Sequence, residues 1–195
     1  MDAQRIVVKV YLEDESVAPH DFIPVFHRWI QTRALDEVLI DVADYSHVHD
    51  GPGVLLICHE ANYAIDVIDG RPGLVYARKR EVTGSWEERV RSSIRAALTA
   101  CRKLEGEVGL AGKARFSTKE ILFRINDRLL GPNVPATFAA AAPALKSVCA
   151  DLFGEGGAEL TPEGSADELF AVRIRATGNA PPVATLLERL TVPAR

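Results

Sequence analysis

The chain has 195 residues, of which 47% are hydrophobic and 26% are charged, and its net charge is −4 at pH 7. A chain of this length can bury about 70% of its unfolded surface, so it needs neither a disulfide nor a metal merely to fold. The composition excludes intrinsic disorder. The acidic balance argues against nucleic acid as a partner, because a local basic patch would have to overcome it.

The first half of the chain has the residue patterns of several strands and of one helix between the first strand and the second. Residues 6–12 are rich in β-branched residues and predict a strand. Residues 21–33 predict a helix with one apolar face, which Asp21 would cap. Three short turns then separate four predicted strands, at 38–43, 54–60, 63–68 and 74–80. The first and third turns contain Asp-Gly and Pro-Gly, and the second is 60–62. Such short connections favour antiparallel pairing.

A long helix is predicted to follow these strands. Ser85 and Glu88 have the spacing of a capping box, in which each side chain binds an unpaired N–H group of the other residue. The apolar residues after them recur at helical spacing, and Gly106 is placed to end the helix. A loop at 106–116 then separates the two halves of the chain.

The second half of the chain has a loosely similar order of predicted strands and helices. It predicts a strand at 119–126 and a helix at 134–153, with Asn133 as the N-cap and with Pro143 expected to kink or split the helix. A hairpin and a final amphipathic helix follow. The order β-α-β-β-β-β-α, then β-α-β-β-α, predicts the α+β class, a predominantly antiparallel sheet packed by about four helices. We expect a single domain, 1–195, or a two-part organisation into 1–105 and 107–195.

The bend between the second and third predicted strands carries the densest group of chemically active side chains. If the bend is extended, His47 and His49 share a face, and His59 on the next strand could join them. Three imidazoles with a nearby carboxylate from Asp44 or Asp50 are the ligands of a divalent metal such as zinc. The alternative is that both bend histidines are solvated beside a turn.

Acid–base chemistry is a second interpretation of this region. Asp41 and Asp66 each lie among apolar strand residues, and a carboxylate in apolar surroundings has a raised pKa that suits proton transfer. The alternative is that strand alternation places both aspartates on the solvent face of the sheet.

Two groups of polar residues are candidates for ligand binding. Arg78 and Arg80 end a predicted strand, close to several arginines of the long helix, and could bind a phosphate, an acidic protein or an RNA backbone. Asp127 and Arg128 follow another strand and could lie in a cleft. A solvated surface and a local Asx turn, respectively, are the alternatives.

The three cysteines, Cys58, Cys101 and Cys149, are widely spaced and lie in apolar contexts, which indicates reduced thiols and a cytoplasmic setting. No apolar run approaches the roughly 20 residues of a membrane span, so no membrane is expected as a partner.

No strong catalytic or cofactor motif is present in the sequence. We therefore expect a soluble, cytoplasmic, non-catalytic module for ligand binding, regulation or assembly. Its partner would be a second copy of the chain, another protein or a small ligand. Aliphatic residues of the last helix and of the Ala-rich helix suggest a homo-oligomer contact. The alternative function is a small metal-dependent enzyme, a hydrolase or oxygenase. In it His47, His49 and His59 would bind the metal, and Asp44 or Asp50 would assist as catalytic residues.

Overall fold

A computed structural model describes residues 1–110 and 112–191, and these residues form eight strands and four α-helices. In chain order they are β1 (Ile6–Leu12), α1 (Ile23–Thr32), β2 (Leu39–Tyr45), β3 (Gly53–Cys58), β4 (Ala61–Asp66), β5 (Gly73–Arg78), α2 (Trp86–Glu105), β6 (Phe116–Ile125), α3 (Pro135–Phe153), β7 (Ala158–Glu163), β8 (Phe170–Ala176) and α4 (Val183–Thr191). The predicted α+β fold is confirmed.

All eight strands belong to one sheet, in which every neighbouring pair is antiparallel. The strand order is β2-β3-β4-β5-β1-β6-β8-β7. β1 lies near the centre, because Val8 pairs with Tyr76 of β5 on one side and with Phe123 of β6 on the other. The first strand of the chain therefore joins the strands that precede and follow the long helix α2.

The helices lie on one face of this sheet. Residues Ile6, Val8 and Val10 of β1 point to that face and share one apolar core with the buried side chains of all four helices. The intervening residues Lys9 and Tyr11 point to the opposite face. The only buried apolar cluster on that side, within the described residues, consists of Tyr11, Leu122 and Ala171 and contains no helix residue. We call this second side the open face.

The helix ends agree with the sequence prediction in one case and differ in two. Ser85 and Glu88 form the predicted capping box, and α2 ends at Gly106. Asp21 is not the N-cap of α1, because a 3-10 turn over Pro19–Phe22 leads directly into that helix and its N-cap is Phe22. The N-cap of α3 is Val134, not Asn133.

Asn133 has a different role, which explains why it does not cap the helix. Its side-chain amide donates hydrogen bonds to the backbone carbonyls of Glu163 (2.9 Å) and Ser165 (3.0 Å), and so it binds the turn between β7 and β8. Pro143 lies inside α3 but does not split it, since the helix is one element from Pro135 to Phe153.

One expectation about apolar helices needs correction. The aliphatic residues Val183, Leu186 and Leu190 of α4 are buried in the core, so they offer no oligomer contact. By length and composition alone, α3 is long and apolar enough to cross a membrane. Core helices pass the same test, and 44% of that segment is buried in the structure.

Candidate ligand-binding cleft

The bend between β2 and β3 exposes its two histidines. His47 and His49 are both exposed. The Nε2 atom of His49 lies 3.3 Å from Oδ2 of Asp50, and the side chains of His49 and Asp50 are 97% and 81% exposed. The bend lines a cavity of about 470 Å³ together with Tyr45 and Val67.

His59 lies at the other end of β3 from the bend. The strand has six residues, so about 20 Å of extended chain separates His59 from the other two histidines. The structure therefore does not bring the three imidazoles together. Among the described residues, no group of three His, Cys, Asp or Glu side chains could hold a metal ion.

The two acids of the bend face water. The Oδ1 atom of Asp44 accepts a hydrogen bond from the backbone N–H of Ser46 at 2.8 Å. Hydrogen bonds from the side chain and backbone of Ser46 lower the pKa of Asp44, so this carboxylate stays ionised at neutral pH. Asp50 has a left-handed backbone with φ of 53° and is exposed. Neither residue lies in apolar surroundings that would suit a general acid.

The two strand aspartates both lie on the open face but differ in burial. Asp41 is exposed, as alternation predicts. Asp66 is only 4% exposed, and its Oδ1 atom lies 2.7 Å from Nζ of Lys9. The Lys9 ammonium also donates to the carbonyl of Ile68 at 2.6 Å. The expectation of a solvated Asp66 is therefore wrong, and the residue belongs to a buried ion pair.

The other predicted ligand-binding residues do not form one shared site. The Oδ1 atom of Asp127 accepts hydrogen bonds from the backbone N–H groups of Leu129 and Leu130, each at 3.0 Å, as an Asx turn would. Arg128 is exposed and lines a cavity at the β7–β8 turn, which other charged side chains also line. Arg80 is exposed as well. Arg78 lines a different cleft, together with two tyrosines.

The cleft that contains Arg78 lies on the helix-covered side, between α2, strands β4 and β5, and the segment after α1. Its volume is about 420 Å³, which is within the range of small-molecule sites. Tyr63 and Tyr76 form its floor, with their rings 5.3 Å apart in an edge-to-face arrangement. The aliphatic residues of the lining are Leu35, Ala96 and Leu187.

One tyrosine of the floor is fixed by a carboxylate. The hydroxyl of Tyr63 donates to Oε1 of Glu37 at 2.7 Å, and Oε2 of the same carboxylate accepts from the N–H of Ala61 at 3.2 Å. Burial, reinforced by the negative charge of Glu37, raises the pKa of Tyr63 far above its usual range. This hydroxyl therefore remains a proton donor at every physiological pH.

The second tyrosine lies beside the guanidinium of Arg78. Burial raises the pKa of Tyr76 to about 12, although the charge and hydrogen bond of Arg78 act in the opposite direction. The guanidinium is 5.8 Å from the centre of the Tyr76 ring. Its Nε atom is buried and has no hydrogen-bond partner among the described residues, and such an unmet donor in a cleft is unfavourable without a ligand or water.

Four further charged residues line the cleft. Arg95 lies on α2, and like Arg78 it takes part in no ion pair within the described part of the chain. The other three are the carboxylates Asp36, Glu37 and Glu60. The Oε1 atom of Glu60 lies 3.6 Å from Nε2 of His59. The cleft thus presents two guanidinium groups without an ion pair among the described residues, together with three carboxylates.

Sequence reasoning missed most of this cleft, although one signal was available. Residues two apart in a strand point to the same face. Tyr63 therefore shares a face with Ala61 and Ile65, and Tyr76 shares one with Leu74, so both tyrosines point into the apolar core. A buried tyrosine hydroxyl needs a polar partner, so the pattern indicated a polar group in the core. No local pattern identified Glu37 as that partner.

Comparison of the sequence with protein-family models and with curated proteins finds no match. What the fold and the cleft define is a two-layer α+β protein with a charged, tyrosine-floored cleft between its layers.

Proposed function

We propose that this protein is a non-catalytic, cytoplasmic ligand-binding module, and that its ligand is a small zwitterion with a carboxylate and an ammonium group, such as a free amino acid. The observation that carries the proposal is that Arg78 and Arg95 lie in one cleft and take part in no ion pair within the described residues. A guanidinium that no protein carboxylate occupies is well suited to bind a ligand carboxylate through two parallel hydrogen bonds.

The carboxylates of the cleft support a ligand that also carries a positive charge. A purely anionic ligand would enter a cleft that Asp36, Glu37 and Glu60 also line, which disfavours it electrostatically. A zwitterion can pair with both kinds of charge at once. The lining also contains Leu35, Ala96 and Leu187, which can contact an aliphatic side chain.

Binding, not catalysis, is favoured by the protonation states in the cleft. Tyr63 and Tyr76 have raised pKa values and stay neutral, so neither acts as a base near pH 7. Among the residues that the structure describes, no histidine or cysteine lines the cleft. The alternative of a metal-dependent enzyme stays a prediction, because no arrangement of the described residues specifically favours it.

The test begins with a thermal-shift screen of the common free L-amino acids on the purified chain. A ligand at ten times its Kd stabilises the protein by about 1.4 kcal/mol, which raises Tm by about 3–5 °C. Calorimetry then compares the best amino acid with its N-acetyl form, which lacks the cation, and its amide, which lacks the anion. We expect both modified forms to bind at least about 10-fold more weakly.

Two variants link binding to the cleft. Arg78→Met should weaken binding of the best amino acid by about 10-fold or more, because it removes a charged donor. Arg80→Met is the matched control, since Arg80 is a nearby arginine that is exposed and does not line the cleft. If no free amino acid binds, or if both variants bind as the wild type does, the proposal is wrong.

A further inference from the structure

The three carboxylates of the cleft differ in how firmly the structure holds them. Asp36 is exposed, and 46% of the Glu60 side chain is exposed. Glu37 is half-buried and accepts hydrogen bonds from Tyr63 and from a backbone N–H group. An ion pair between exposed groups adds little binding free energy, because water screens it and both side chains lose freedom. Glu37 is therefore the carboxylate of this cleft from which a bound cation gains most.

The carboxylate of Glu37 can accept further hydrogen bonds. Its Oε1 atom accepts from the Tyr63 hydroxyl at 2.7 Å, and its Oε2 atom accepts from the N–H of Ala61 at 3.2 Å. An ionised carboxylate offers about four acceptor positions, two on each oxygen. These two hydrogen bonds fill one position on each oxygen, and an ammonium group has N–H donors for the others. Because the carboxylate is already held in place, less freedom is lost when a ligand binds to it.

Charges of both signs act on one hydroxyl of the cleft floor. Burial raises the pKa of Tyr76 to about 12, the positive charge of Arg78 lowers this pKa, and the negative charge of Glu37 raises it. Glu60 raises it as well, but less than Glu37 does. An α-amino acid carries its ammonium and carboxylate groups on the same carbon atom, so the two partners of these groups must lie near each other. This requirement favours Glu37 and Arg78, because both act on the same hydroxyl.

We propose that Glu37 binds the ammonium group of the ligand, and that Tyr63 is the positioning residue that holds the Glu37 carboxylate in place. Tyr63 is suited to this role because it is only 3% exposed and its ring packs 5.3 Å from that of Tyr76. Its hydroxyl is therefore fixed where it donates to Glu37. The inference deepens the proposed function and rests on it, because it names the residue that selects a ligand with a free amino group.

Calorimetry on the purified chain tests the role of Glu37 with two probes, the best free amino acid from the screen and its N-acetyl form. The N-acetyl form keeps the carboxylate and the side chain but has no ammonium group, so the ratio of the two dissociation constants measures recognition of the cation. For the wild type we expect a ratio of at least about 10. In Glu37→Gln, which has a similar size but no charge, the ratio should fall to about 1–2, because only the free amino acid loses a partner.

Two further variants separate the charge of Glu37 from its positioning. Asp36→Asn is the matched control, because it removes the neighbouring, exposed carboxylate of the same cleft and should leave the ratio unchanged. Tyr63→Phe keeps the Glu37 carboxylate but removes its hydrogen bond, so the free amino acid should bind about 3–10-fold more weakly while the N-acetyl form binds as before. A merely structural role of Tyr63 would weaken the binding of both probes equally, and that result would overturn its role as a positioning residue.

Circular dichroism establishes that each variant is folded. Glu37→Asp replaces Glu37→Gln if the latter does not fold, and its shorter side chain, which keeps the charge but holds it farther from the ligand, should lower the ratio by about 3-fold or more. A folded Glu37 variant with the wild-type ratio overturns this inference alone, and so does an Asp36→Asn variant that loses the ratio. A wild type that binds no free amino acid, or binds both probes equally, overturns the proposed function as well, which distinguishes the two failures.

Discussion

Replacing Asp66 by alanine should destabilise the protein strongly, because it breaks a buried ion pair. The side chains of Lys9 and Asp66 are only 2% and 5% exposed, and their charged atoms are 2.7 Å apart. In Asp66→Ala the Lys9 ammonium keeps the carbonyl of Ile68 as an acceptor but loses its counter-charge. Breaking a buried pair in this way costs about 3–5 kcal/mol, a large share of the roughly 5–15 kcal/mol that stabilises a typical domain.

Urea unfolding, followed by circular dichroism, measures this loss as a lower midpoint. The double variant Lys9→Met, Asp66→Leu removes both charges and should recover most of the stability, because apolar replacements of similar size are often neutral or better. Arg102→Met is the control. Its ion pair with Glu105 is 3.9 Å long and 55% of the arginine side chain is exposed, so its loss should cost below about 1 kcal/mol. A loss below about 1 kcal/mol in Asp66→Ala, or a double variant no more stable than the single one, would refute the reasoning.

Three further predictions concern pH, thiols and a helix cap. The free energy of unfolding should fall above about pH 10, because Tyr76 ionises there in the unfolded chain but keeps its proton up to about pH 12 in the folded one. The expected slope is about 1.4 kcal/mol per pH unit. Urea unfolding of Tyr76→Phe at alkaline pH should show a shallower fall. A thiol reagent at about pH 8 should label none of Cys58, Cys101 and Cys149 in the native protein, because all three are buried and burial raises the pKa of each thiol. All three should be labelled in guanidinium. Labelling of any of them in the folded chain would contradict the prediction. Ser85→Ala should destabilise the chain by about 1 kcal/mol in the same urea assay, since it removes the side chain that accepts from the Glu88 N–H, and an unchanged midpoint would argue against the cap.

Strand and helix positions could be predicted because local patterns determine them. Alternating residues in β1 and β6, and a helical stripe after Ser85, gave elements within a few residues of the observed ends. The N-caps were harder to predict. Asn133 has the side chain of a cap, yet it bonds to a turn 30 residues away, and a long-range partner leaves no local trace.

The candidate site shows the same limit more clearly. Arg78 was identified from the sequence because charged residues cluster at the end of its strand. Glu37 and Tyr63 were not, because their contact joins residues 26 apart that meet only when the segment after α1 packs beside β4. Asp66 was placed on the correct face by alternation, but its burial depends on Lys9, at a distance of 57 residues that no periodicity reveals.

The central position of β1 also has a consequence for biosynthesis. Val8 cannot acquire its partner Phe123 until β6 has left the ribosome, so the nascent chain carries a β-branched strand with one unpaired edge through most of translation. Such an edge is a template for aggregation, and long-range pairing of this kind slows folding. Emergence of β6 is therefore the event that pairs the second edge of β1 and moves the open edge of the sheet to β6, which later pairs with β8.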